Sequence, residues 1–375
     1  MQRVQLTDPD AVVATFMRLA AIDSPSRQEG EIARVLVEEL TALGYAVRDD
    51  ATGPDCGNLI AIIPGDETLE PVLFTSHMDV VMPCLNVQPR IDDGVIRSGG
   101  DTVLGADAKA SVAALLQVAR LLSGPLESMQ RPTVEMLFTW GEEAGHLGAK
   151  ALDVDQLRAR RGWVLDGLMP VGTIVLAAPT HYAFAARVMG RGAHAGVEPE
   201  KGISAIRVAA EAICRMAWGR LDPETTANIG TIHGGSARNA VAALVQTDGE
   251  VRSLTPGRAD VIVRSIAATF EAVAAEAGAK ADVDLTEVYR GYRLAEEEPV
   301  VAVASRAFAA IAGGARSPMV ATGGGSDANE FNAREMRTCV LGIGAEGCHS
   351  TEELISASQL QLLVQWVLEI LRQVS

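Results

Sequence analysis

At 375 residues, 48% of them hydrophobic, the chain is long enough for two domains and a sizeable core. Lys and Arg number 32 against 48 Asp and Glu, a net charge of −16 that speaks against nucleic acid or an anionic membrane as a partner. Five cysteines with no CxxC pair, no basic-then-apolar leader and no run of about 18 apolar residues lead us to expect a soluble cytoplasmic protein without disulfides.

Asp8 and Pro9 suit a helix start, and Val12, Phe16, Leu19 and Ala20 give that helix an apolar face. Ser26-Arg27-Gln28-Glu29 has the form of a capping box. Behind it Ile32, Val35, Leu36, Leu40 and Leu43 recur at helical spacing until Gly44. Strands are predicted at about 45–50, 58–63 and 72–79, and residues 81–103, rich in Pro and Gly, read as loop. After Asp107 comes a helix in which Val112, Leu115, Leu116 and Val118 alternate with Ala, a composition suited to close packing on a sheet. Strand 133–140 is almost continuously apolar, as in a strand covered on both faces. Trp163-Val164-Leu165 is a further strand, ending on Asp166-Gly167.

From about Ala178 the texture changes. Strand 180–190, helix 202–217, strands 227–233 and 239–251, helix 256–277 and strand 281–290 describe an α+β unit with one helical face. After Arg293 the first pattern returns with helix 298–312, a glycine loop at 323–325, strand 338–341 and a long helix from Thr351. The fold expected is therefore α/β, a mixed sheet between helices over 1–178 and 292–375, interrupted by an α+β domain at 179–291.

Chemistry-bearing residues gather at the predicted strand ends. In His77-Met78-Asp79 the outer side chains share a strand face, so Asp79 can accept from one imidazole nitrogen and leave the other for a metal. Glu142-Glu143 points two carboxylates in different directions, one able to ligate and the other to act as general base. Asp107, between small residues, could cap its helix, bridge two ions about 3.5–4 Å apart, or do both. Asp166 and His349 complete a mixed imidazole–carboxylate set that suits zinc, cobalt or manganese better than magnesium.

In that order, HxD, GAD, GEE, LDG and a late His before the final helix, the chain resembles the dizinc exopeptidase family that includes peptidase T and the glutamate-releasing carboxypeptidases. The resemblance implies two divalent ions, zinc first. One would be held by His77, Asp107 and Asp166, the other by Asp107, Glu143 and His349. It also implies Glu142 as general base and Asp79 as the carboxylate orienting His77. In Gly190-Arg191-Gly192-Ala193-His194-Ala195-Gly196, His194 matches the residue that helps hold the substrate carbonyl oxygen. Asn239, Arg252 and the loop carrying Gly324 and Gly325 match substrate-binding positions, and the inserted domain would act as lid and homodimer contact. Relatives carry Asp where this chain has Ala108, and Ile-Val-Pro near its Ala240-Val241-Ala242-Ala243. Asp166, which varies between Glu and Asp in relatives, points to the aminopeptidase and dipeptidase branch.

The activity implied is aminopeptidase action on di- or tripeptides. An N-acyl-amino-acid amidohydrolase, a carboxypeptidase, and a silent peptide-binding relative are the alternatives. Gly342-Ile343-Gly344-Ala345-Glu346-Gly347 spells a dinucleotide fingerprint, but only one helix follows it, too little for a βαβ unit. No GxSxG elbow supports a serine hydrolase. His146, His181 and His233 read as structural.

Overall fold

The structure, a computed structural model, describes residues 8–374. It divides into two compact units. The first runs to Leu176 and resumes over Leu294–Ala321 and Ser326–Ser375; the second is Ala177–Arg293 with Thr322–Gly325.

The first unit is built on a mixed sheet. At its centre Val134–Thr139, Val72–His77, Arg161–Gly167 and Arg337–Gly342 run parallel, in that order. Leu59–Ile63 and then Ala46–Asp49 extend one side antiparallel, and Ile174–Ala178 joins the other side antiparallel. Every residue of Val72–His77 and Val134–Thr139 is buried, which explains why these strands read as continuous apolar runs. Parallel strands share their carboxyl ends along one edge, the edge where α/β sheets place their ligands. His77, Glu142-Glu143 and Asp166 all fall there.

Helix Ala106–Leu122 is buried along almost its whole length, and its alanines allow Asp10–Ala20 and Ala357–Gln373 to pack against it. Trp163 stacks on Phe74 at 4.9 Å and donates its indole N–H to the Val300 carbonyl at 2.9 Å, tying sheet to helix Pro299–Ile311. Full burial of such side chains contributes about 1.5–3 kcal/mol each.

Three expectations change. Ser26 to Glu29 is not a capping box: the helix begins at Gly30, with Glu29 at its cap and no side-chain cap bond. Ser26 Oγ instead donates to Asp79 Oδ2 at 2.6 Å, and the Glu29 carboxylate accepts from Arg27 N and Gly141 N at 2.8 and 2.9 Å. The 81–103 segment is not all loop, since Pro89–Asp92 and Val95–Ser98 form a hairpin. That hairpin joins Leu354–Ser356 and Ala345–Glu346 in a small sheet, so the last helix starts at Ala357 rather than Thr351.

The second unit has an antiparallel sheet in the order Gly219–Asp222, Thr225–Gly234, Leu244–Ser253, Thr180–Met189, Lys280–Tyr289. Helices Ala205–Cys214 and Arg258–Glu276 cover one face. Tyr182, Phe184, Ala186 and Val188 alternate inward and pack with Val208, Val263, Ile266 and Phe270. Among the described residues no helix is long and apolar enough to cross a membrane.

Candidate metal centre

Five side chains predicted to ligate metals meet at the carboxyl edge of the first unit's sheet. His77 Nε2 lies 3.3 Å from Asp107 Oδ1 and 3.2 Å from Asp166 Oδ1. His349 Nε2 lies 3.2 Å from Asp107 Oδ2 and 2.8 Å from Glu143 Oε1. Asp107 thus turns one oxygen to each imidazole. His77 with Asp107 and Asp166, and His349 with Asp107 and Glu143, each bring their donor atoms within 4.8 Å of one another; His77 with Glu142 and Glu143 does so too.

The surrounding backbone fixes these groups. Glu353, buried, accepts from Gly105 N at 2.7 Å and Asp107 N at 3.0 Å, clamping the turn that aims the Asp107 carboxylate. Gly105 sits at φ +75°, a conformation that favours glycine. His349 adopts a left-handed φ of 62°, and so does His146 at 58°. Asp79 differs in detail from the sequence expectation. His77 Nδ1 lies 3.0 Å from the Asp79 carbonyl oxygen and 3.4 Å from its carboxylate Oδ1. The carboxylate also takes the N–H groups of Glu142 and Glu143, at 2.9 and 3.1 Å, and the Ser26 hydroxyl. One side chain therefore braces both the histidine and the glutamate pair.

Glu142 is buried, and His146 Nε2 stands 3.3 Å from its Oε1. His146 N also donates to the Glu142 carbonyl at 2.7 Å, so a tight turn folds the ring back over the carboxylate. His146 reads from the sequence as structural; its position four residues after Glu142 was the signal that it could reach that carboxylate. Ser26 and Glu29 were read as a helix cap instead of partners of Asp79 and Gly141, and Glu353 had no local signal.

The electrostatics of this cluster fit bound cations. Burial, reinforced by Asp166, raises the Glu142 carboxyl well above the usual range. Burial likewise raises Asp166, with Asp107 and Glu143 adding repulsion. Burial opposes ionisation of Asp107 as well, but hydrogen bonding with His349 and His77 outweighs it and holds the carboxyl down. Hydrogen bonding to Asp107 and Glu143 pushes His349 up to about 10. So many carboxylates in a buried space repel one another unless positive charge joins them.

The remaining predicted residues belong to the second unit. His194 is exposed; its Nδ1 accepts from Gly196 N at 3.2 Å, and its backbone bridges to Ala240 beside Asn239, whose carbonyl accepts from Ala195 N at 2.9 Å. Arg252 is already engaged. Its Nε and Nη2 reach the two Glu250 oxygens at 3.1 Å each, and Nη1 donates to the Tyr289 hydroxyl at 3.0 Å and the Gly323 carbonyl at 3.2 Å. Gly324 N donates to Thr322 Oγ1 at 3.1 Å, and a Cβ on Gly325 would stand 2.4 Å from the Tyr289 ring.

Residues 73–373 match the model of peptidase family M20/M25/M40. The chain belongs to this family. Family membership makes it a hydrolase of the peptidase class, and several relatives match it over nearly its whole length. YqjE of Bacillus subtilis is 40% identical over 362 residues, 96% of each chain. Aminopeptidase PepT of Bacillus cereus is 41% identical with a TM-score of 0.91, over 98% of this chain and 99% of that one. A tripeptidase of Staphylococcus aureus is 38% identical with a TM-score of 0.93, over 98% of both.

Proposed function

We infer that the protein is an aminopeptidase acting on di- or tripeptides through a two-metal centre, with zinc the first candidate and cobalt or manganese the alternatives. The observation that carries this reading is the split of Asp107, whose Oδ1 faces His77 and whose Oδ2 faces His349. His77, Asp107 and Asp166 would hold one ion and Asp107, Glu143 and His349 the other. When bound, the ions would supply Lewis acidity at the substrate carbonyl and make water more acidic.

Glu142 takes the proton of the attacking water and passes it to the leaving nitrogen. Burial raises its pKa, which favours its role as a base over that of a permanently ionised carboxylate. By resemblance, His194 donates to the developing oxyanion, Asn239, Arg252, Gly324 and Gly325 contact the substrate, and the second unit serves as lid and homodimer contact. For Arg252 that role means giving up part of its present bonding with Glu250.

Glu142→Gln should lower kcat by about 10²–10⁴ with metal content unchanged. Near-normal turnover in that variant removes Glu142 as the base. A panel of free tripeptides, N-blocked dipeptides and N-acetyl amino acids tests the substrate class. Cleavage confined to blocked substrates would replace aminopeptidase by carboxypeptidase or acyl-amino-acid hydrolase.

A further inference from the structure

At the opposite end of strand Arg161–Gly167 from Asp166 lies a cavity of about 330 Å³ whose wall includes Arg158, Arg160, Arg161 and Arg337. Five residues at about 3.3 Å each put roughly 16 Å between Arg161 and Asp166, so this pocket is separate from the histidine–carboxylate cluster. We propose that it binds an organic phosphate, with Arg158, Arg161 and Arg337 holding the phosphoryl group and Pro71, Pro299 and Val300 lining the space for the organic part.

The charge is the first argument. In a chain of net charge −16, the pocket sets four guanidinium groups against the carboxylates of Glu70 and Glu298. With Arg160 paired to Asp155 at 3.6 Å, Arg158, Arg161 and Arg337 still outnumber Glu70 and Glu298, so the wall is net positive and suited to an anion.

The second argument is which donors are committed. Arg160 is structural: its Nη1 donates to the carbonyls of Val154, Leu157 and Ala159 at 3.3, 2.7 and 3.1 Å. Arg161 is only loosely paired, 3.7 Å from Glu70, and its Nε is buried without a hydrogen-bond partner. A buried donor left unsatisfied is unfavourable, and a bound oxyanion would give it a partner. The guanidinium groups of Arg158 and Arg337 form no ion pair among the described residues. Guanidinium groups match phosphate geometry bidentately.

Third, helix Pro299–Ile311 begins at the pocket wall, adding the positive end of its dipole. Size then selects among anions. A water occupies about 30 Å³, so the cavity has the room of on the order of ten waters, more than a lone phosphate fills. It falls within the range of small-molecule pockets, about 300–1,000 Å³.

The test is calorimetric titration of the full metal-loaded protein at constant ionic strength with phenyl phosphate, inorganic phosphate and phenol. Phenyl phosphate should bind saturably and more tightly than inorganic phosphate, with phenol showing no saturation. The double substitution Arg158→Ala, Arg337→Ala should weaken phenyl phosphate at least tenfold while peptide hydrolysis persists. Absence of saturation, or equal affinity in the double variant, overturns the proposal; the latter would put the phosphate elsewhere, such as at the metal centre.

Discussion

Lys109 follows Asp107 by two positions, and its buried ammonium donates to the Ile22 carbonyl at 2.5 Å. Burial pulls its pKa down from 10.5 to about 8. Between those values the unfolded chain holds a proton that the folded protein has released, so stability rises with pH across that window. Lys109→Met should remove that rise, worth up to about 1.4 kcal/mol per pH unit. Denaturant melts of both proteins from pH 8 to 10.5 measure it, and an unchanged slope would exonerate the lysine. At this scale the cluster was legible because His77, Asp107, Glu143, Asp166 and His349 are chemically distinctive residues beside predicted strand or helix ends. Ser26 and Glu29 misled for the opposite reason. Their S-x-x-E spacing is a local pattern, yet both side chains are claimed by distant partners, Asp79 and Gly141.

Among elements, what mattered was whether a segment has a buried face. Val72–His77 and Val134–Thr139 are buried throughout and announced themselves as apolar runs. Pro89–Asp92 is mostly exposed and Val95–Ser98 buries only Ile96, so no period marked that hairpin, and the strand Leu354–Ser356 that pairs with it was absorbed into the final helix. That small sheet has a role at the site, because Glu353 immediately precedes Leu354 and clamps the Asp107 turn. Glu353→Gln preserves size but keeps one acceptor oxygen, so one of the two bonds is lost and the other loses its charge. We expect metal affinity to fall about 10–100-fold, the range for losing a group that supports a ligand, in competition titrations against a chelating dye. Unaltered affinity would mean that the turn holds its shape without the clamp.

For the whole molecule, the change of texture near Ala178 and its reversal after Arg293 made two units readable, since alternating half-exposed strands replace buried ones. The Thr322–Gly325 excursion into the second unit was not readable, because four residues carry no pattern of their own. Candidate ligands drawn from positions 77 to 349 would make any ion they bind a cross-link of the native state. Metal at a hundredfold excess over its dissociation constant should stabilise by about 2.7 kcal/mol per site. Scanning calorimetry with chelator, then with zinc restored, should show the melting temperature fall and recover; identical melts would mean that no ion is held tightly.

Asp107 and His349 are 242 positions apart in the chain and still touch. Ribosomes deliver that histidine long after the strands around His77 have emerged. On the proposed reading, a nascent polypeptide cannot assemble the paired metal site, or turn it on its neighbours, until that last histidine has folded back onto Asp107.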